Sequence, residues 1–390
     1  MTTDLRMLAI TRRGLISGGS AAVLAAVAGP RFASPAQAQG TGIKVYGTAA
    51  QGLSDWAGFT AATGLEMEFT PTNGDPGVVV REIMANGIGD SFDLFLTETG
   101  MQKTLGPDWF LPVDTAHPEL TLWSRIPAAF TDTLKLGGVQ YGVPNVGGAD
   151  SFGYRPEVLG VTDPKTQLGW DFVFESDKTK GRVGLSTTLV YSFPLMAQYV
   201  ANKGYAEIAD VTNLTGDEAK AVADFGIARK QAGQFRTFFV GFDEQVQLLT
   251  GGEVDVLNCW SDAVLEANAQ AGRTIAEYAY ADYYFKWGNA LFIAKQAADR
   301  GNLDEVYRTL NFFLGGEYLA QMAQKGLVGP NMDLALEYAK AAGWSPDDLA
   351  KIEAASGLAA EKFKTEQFTF DPVPSNLSVM EEEWQRFLNA

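Results

Sequence analysis

The chain has 390 residues, a formal net charge of -17, one histidine and one cysteine. Such acidity argues against nucleic acid or an anionic membrane surface as partner. Cys259 alone cannot form an intrachain disulfide, and His117 alone cannot build a histidine-rich metal centre. With 46% apolar and 12% aromatic residues the chain is made to bury a core, not to stay disordered.

Residues 1–38 read as a removable export signal. Arg12 and Arg13 precede an uncharged run from Gly14 to Pro30, too short and too rich in alanine and glycine to span a bilayer. Ala36-Gln37-Ala38 supplies the small residues of a cleavage site, expected after Ala38. The arginine pair resembles the twin-arginine type, which exports folded cargo; an ordinary secretory signal is the alternative. The segment carries four arginines against one aspartate, so the rest of the chain stands near -20. No later stretch has membrane-spanning length, so the mature protein is expected free in the periplasm. Its roughly 350 residues suggest two lobes.

After Gly42 the pattern alternates between strands and helices. Residues 43–46 (IKVY) read as a strand, and 53–62 as a helix with Leu53, Trp56 and Phe59 on one face. Residues 64–70 read as a second strand, 75–87 as a helix entered at a proline and stopped at Asn86-Gly87, and 91–99 as a third strand. That order predicts a parallel sheet with ligands at the strands' carboxyl ends, which draws attention to Thr97, Glu98 and Thr99. Residues 136–159 read as a hairpin, a glycine-rich extended run and a strand, interpreted as a crossing between lobes. A second α/β unit follows. Its helix at 215–232 opens with a capping box from Thr215 to Glu218, and its strand at 254–260 leads into a helix from Ser261. Residues 286–295 look like the return crossing. Later helices are expected at 302–315, capped by Asn302 and Glu305, from Ser345-Pro346, and near the C-terminus, capped by Ser378 and Glu381 with Met380, Trp384 and Phe387 inward.

No HExxH, CxxC, GxSxG, Walker loop or GxGxxG after a strand is present. His117 lies in Asp114-Thr-Ala-His-Pro118 without a flanking pattern that would make it part of a Ser-His-Asp triad. The chain is read as a non-enzyme with no cofactor and no metal. An exported hydrolase or lyase working through carboxylates is the alternative from another class.

The order of pieces resembles that of the extracellular solute-binding proteins of ABC importers, with the nearest likeness to the spermidine/putrescine-binding branch. The likeness rests on FDLFLTETGMQKTLGPDWFLPVD, GVQYGVPNVGGADSFGYRPEVL, GGEVDVLNCWSDAVLEA and LNFFLGGEYLAQMAQKGLVGPNM, in that order over some 290 residues. It implies an α/β, two-lobed type II periplasmic-binding-protein fold with its ligand cleft at the hinge. It also implies a small-molecule ligand, an inner-membrane permease as partner and a monomer. The lobes are expected at 43–145 with 289–329, and at 146–288 with 330–390.

Carried over residue by residue, Trp260 and Asp262 resemble the family's tryptophan and acid, though spaced W-S-D and not W-x-G-D. Glu98 and Thr99 resemble the step after the third strand, and Asp150 falls on a cleft-facing position of the crossing. Trp260 and Asp262 are expected in one lobe and Glu98 in the other. The chain departs from the family at Gly47-Thr48-Ala49-Ala50, at Ser186-Thr187-Thr188 and near Gly288-Asn289, where aromatic and acidic amine-binding residues are missing. In YAYADYYFKWGN, Tyr283 and Trp287 are read as walls of an organic-ligand pocket, with core packing as the alternative; tyrosine pairs also occur in ferric-ion-binding relatives. A polyamine-like amine cation is the expected ligand. A zwitterion, a sugar, an anion (through Lys286 or Arg236) or ferric ion remains open.

Overall fold

Ile43 and Val45 are fully buried between exposed Gly42 and Lys44, and this two-residue period sets the first strand, β1 (Gly42–Thr48). The computed structural model describes residues 42–72, 76–86, 88–364 and 374–390; the expected export signal lies outside them. β1 pairs in parallel with β2 (Glu66–Thr72) on one side and β3 (Leu94–Glu98) on the other. The intervening helices are α1 (Ala57–Thr63), closed by left-handed Gly64, and α2 (Pro76–Asn86), which starts at its proline. Pro71, which lacks a ladder donor, sits on the edge strand β2.

The second half repeats the arrangement. β5 (Val183–Ser186) pairs in parallel with β6 (Phe235–Phe239) and β7 (Val256–Cys259). Two long antiparallel strands join the halves: β4 (Gly142–Tyr154) and β8 (Phe285–Ala294). One continuous sheet results, in the order β6-β5-β7-β4-β8-β3-β1-β2, with short strands Phe110–Leu111 and Glu277–Tyr278 at its sides.

The pleat sorts side chains into cores on opposite faces. In β3 and β8, Leu94, Leu96, Leu291 and Ile293 enter one core, while Phe95, Ala290, Phe292 and Ala294 enter another. In the second half Phe152, Tyr154, Val183, Leu185 and Val256 enter a third core, and Leu257 and Cys259 a fourth.

The remaining helices of seven residues or more are α3 (Leu189–Asn202), α4 (Gly216–Gln231), α5 (Gly241–Gly251) and α6 (Ser261–Ala271) in the second half. They are followed by α7 (Leu303–Phe313), α8 (Gly316–Gln324), α9 (Met332–Ala341), α10 (Pro346–Lys364) and α11 (Leu377–Asn389). The Thr215–Glu218 capping box of α4 is present. Two other expected caps are not. Asn302 spends its amide nitrogen on Asp93, 3.0 Å away, and Ser378 lies inside α11, which Asn376 precedes.

The expected division of the C-terminal region also differs. Met332, Ala335, Ala339 and Ile352 pack in the same core as β1 and β3, whereas Met380, Trp384 and Phe387 pack with the second half. α8 and α9 meet almost backbone to backbone, since a β-carbon on Gly316 would lie 2.2 Å from the Leu334 carbonyl oxygen. That approach ties the region after residue 330 to the first half, and the chain crosses to the second only at its last helix.

Candidate functional site

The carboxyl ends of β1 and β3 in one half, and of β5 and β7 in the other, flank the middle of β4 and β8. These two strands pair from Phe285 opposite Asp150 to Phe292 opposite Gly142. The register slips once: between the Gly288–Gly147 and Ala290–Pro144 pairs, Asn145 and Val146 stand against Asn289 alone. This is a β-bulge at the place where the chain passes between the halves.

Alternation along the ladder assigns faces. Asp150 and Gly148 lie opposite Phe285 and Trp287, and Asn289 lies opposite Glu98. These positions share the face that carries the first and second halves' larger cores. Trp287 lies flat over Gly148: a β-carbon there would come within 2.8 Å of the indole. Lys286 and Gly288 have the other parity. Thr99 goes with them, its N–H donating to the Gly288 carbonyl at 2.8 Å and its Oγ1 standing over the Gly288 backbone. The ladder therefore brings Glu98, Asp150 and Trp287 to one face and leaves Thr99 on the opposite one.

Asp150 is 5% exposed. It lies among groups that the sequence reading missed. Tyr191, at the start of α3, and Tyr278 both donate to the Cys259 carbonyl, at 3.3 and 3.1 Å, and the Tyr278 oxygen accepts from the Ser151 N–H at 2.7 Å. Burial and then the Asp150 charge push both phenols well above their ordinary pKa. Asp262, in the first turn of α6, adds to the effect on Tyr191, so two carboxylates act on one phenol. Burial holds Asp262 above the usual carboxylate range, while the Ala263 N–H, donating to Oδ1 at 3.0 Å, opposes the shift.

Trp260 is half-buried at the rim, its ring stacked on Phe242 at 6.4 Å and 15°, and its backbone N–H donates to Gln245 Oε1 at 3.1 Å. Glu98 closes the other end, its Oε2 accepting from Thr97 at 2.6 Å. Beside it the Gln51 amide donates to Asn289 Oδ1 at 2.6 Å. Lys325 fixes the turn that carries Gln51 by donating to the carbonyls of Ala50 and Gly52.

Tyr283 does not belong to this group. It precedes β8, stacks on Trp170 at 5.3 Å and donates to the Leu195 carbonyl at 3.0 Å, inside the core of the second half. Arg236 lies near the start of β6, away from the strand ends that face the crossing. His117 is tied up elsewhere: its ring stacks on Tyr307 at 3.8 Å, and its Nε2 stands 3.3 Å from Asp304. Among the described residues no group of three or more His, Cys, Asp or Glu could hold a metal ion, and no helix is long and apolar enough to cross a membrane.

Tyr191 and Tyr278 carry a weak sequence signal at best, since tyrosines after short strands are common core residues. Gln51 and Asn289 carry none, because amides become informative only when burial is known.

No family model matches the sequence, and no curated protein does. Solved structures do. A spermidine/putrescine ABC transporter protein from Listeria monocytogenes superposes with a TM-score of 0.65 at 17% identity, over 89% of this chain and 99% of that one. The spermidine/putrescine substrate-binding protein PotD of Streptococcus pneumoniae, crystallised with calcium and HEPES, gives 0.66 at 14% identity over 89% and 98%. The periplasmic binding protein MotA of A. tumefaciens B6, in complex with glucopine, gives 0.60 at 15% identity over 88% and 99%. Continuous parallel units joined by two crossing strands, with a cleft face at the junction, thus have a known counterpart: the chain adopts the two-lobed, type II α/β fold of the ABC-transporter solute-binding proteins.

Proposed function

We propose that the protein is the solute-binding component of an ABC importer, not an enzyme, and that it captures a small organic amine cation between its lobes. In this reading residues 1–38 direct export to the periplasm, and the loaded monomer delivers its ligand to an inner-membrane permease. The observation that carries the reading is the pair of acids near the end of β7: Asp150 of β4 is buried, Asp262 in the first turn of α6 is half-buried, and both act on Tyr191. An ammonium about 4 Å from one carboxylate gains roughly 4 kcal/mol at an effective dielectric near 20. An aromatic face such as Trp260 or Trp287 adds roughly 0.5–2 kcal/mol. Asp262 and Trp260 in the second half, with Glu98 in the first, let one ligand contact both lobes, which is what a closing equilibrium requires.

Lys286 lies on the opposite face of the ladder, so it does not offer a carboxylate partner beside the two acids. This favours a cation over an anion at that end. The test is thermal melting against putrescine, spermidine, agmatine, betaine, amino acids, sugars and ferric citrate. A ligand at 100 times its Kd adds about 2.7 kcal/mol of stability. Amines are expected to raise the melting temperature and Asp262→Asn to cancel the effect. A response confined to sugars or anions would sink the amine reading, and turnover of any ligand would sink the non-enzymatic one.

A further inference from the structure

At the other end of the crossing, the buried side chains are amides and a phenol. Gln51 is 2% exposed, Asn145 1%, Asn289 4% and Tyr318 0%. The Tyr318 hydroxyl donates to the Gln51 carbonyl at 3.1 Å and lies beside Asn145, and Gln51 donates to Asn289. Four polar atoms of Gln51, Asn145 and Trp287 are left over. Among the described residues, Gln51 Oε1 and Asn145 Oδ1 receive no hydrogen, and Asn145 Nδ2 and Trp287 Nε1, the latter two residues from Asn289, find no acceptor. Buried donors and acceptors are rarely left unpaired, so four on these neighbouring residues suit a group that both donates and accepts.

From this cluster we infer that the floor at Gln51, Asn145, Asn289 and Trp287 binds an uncharged hydrogen-bonding group of the ligand, an amide or a hydroxyl. The inference rests on the amine reading above and narrows it: the ligand carries an ammonium at one end only. Both kinds of partner are needed here, acceptors for the Trp287 and Asn145 N–H groups and donors for the two amide oxygens. An amide or hydroxyl supplies both, whereas an ammonium only donates and would leave the indole unpaired. The nine-tenths-buried groups of the floor carry no charge to offset a second cation, and burying one unpaired is costly. Glu98 stands at the rim, half-buried and outside this floor. The spacing is compatible. Asn289 lies four residues along β8 from Phe285, the partner of Asp150, about 13 Å at the usual strand rise. With side chains reaching in from both ends, a four-carbon spacer fills that gap.

The test is titration of the protein with four compounds: N-acetylputrescine, putrescine, butylamine and 4-acetamidobutyrate. N-acetylputrescine is expected to bind about tenfold more tightly than putrescine or butylamine, the worth of one or two well-made hydrogen bonds. The acetamido acid, which lacks the ammonium, is expected not to bind. Gln51→Leu should remove the advantage of N-acetylputrescine over butylamine. Asn289→Asp should reverse the ranking toward putrescine, with circular dichroism reporting that both variants fold. Putrescine binding as tightly as N-acetylputrescine would overturn the inference and leave the amine reading standing. Silence from all three amines would overturn both.

Discussion

Asp262 makes the pH behaviour of the unliganded protein predictable. Its folded pKa is raised by burial above the roughly 3.9 of an unfolded aspartate. A raised pKa means the folded state favours the protonated form. The favourable contribution is full below the unfolded value and is lost as pH rises through the folded one. At neutral pH the buried charge therefore opposes folding, so Asp262→Asn should melt higher than the parent, with the gap closing below about pH 4. Melting curves of both proteins across pH check this; equal melting temperatures at pH 7 would contradict it. A bound cation reverses the balance, so amine affinity should rise with pH through the same range. Gly148 offers a second prediction. Gly148→Ala would press a methyl to within 2.8 Å of the Trp287 indole, costing about 1–3 kcal/mol, and tryptophan fluorescence should move together with the melting temperature. At this scale legibility was partial. Asp262 stands out as an acid just past a strand and Asp150 as a cleft-facing position of the crossing only through the resemblance; what links them is that both charges act on Tyr191. The bulge at Asn145 and Val146 shifts the alternation by one residue, so no reading of β4 by periodicity alone finds which side chains face the cleft. Tyr283 misled for a related reason: ordered strand begins only at Phe285, and a tyrosine before it is free to turn into the core.

Elements were more readable because their signals are local. The parallel β-α-β-α-β order of the first half follows from short apolar runs separated by amphipathic ones, and the pairing of β1 with β2 and β3 agrees. Caps divide by whether something else competes for the side chain. Thr215 has no rival partner and forms its box with Glu218, whereas Asn302 is drawn to Asp93, already bound by Arg300. Such tertiary competition is invisible in sequence. Thr215→Ala should cost about 1 kcal/mol, read as a lower urea midpoint with an unchanged slope. Restoration by Thr215→Ser would separate capping from any effect of the methyl group.

Across the whole molecule, the last helix is the piece whose loss reaches furthest. Trp384 of α11 is 1% exposed, packs on Phe193, and donates its N–H to the Thr187 carbonyl at 2.8 Å, just past the end of β5. Trp384→Ala should cost about 3–5 kcal/mol. It should also loosen the Thr187 turn, seen as faster proteolysis of the second half than of the first; equal rates in both halves would refute the local effect. Of the four helices after the second crossing that stay with the first half, α9 and α10 were expected in the second, and nothing in their own amphipathic pattern names the core they join.

The two crossings are not separate cords. β4 and β8 are bonded to each other through the middle of the molecule, so the lobes cannot swing without wringing one shared ribbon. A ribbon under torsion yields where its rungs are fewest, and here that is the single step at Asn289. Opening should therefore be concentrated in one joint, giving a narrow range of open shapes, and the joint that turns is the same patch of amides that the ligand would have to grip.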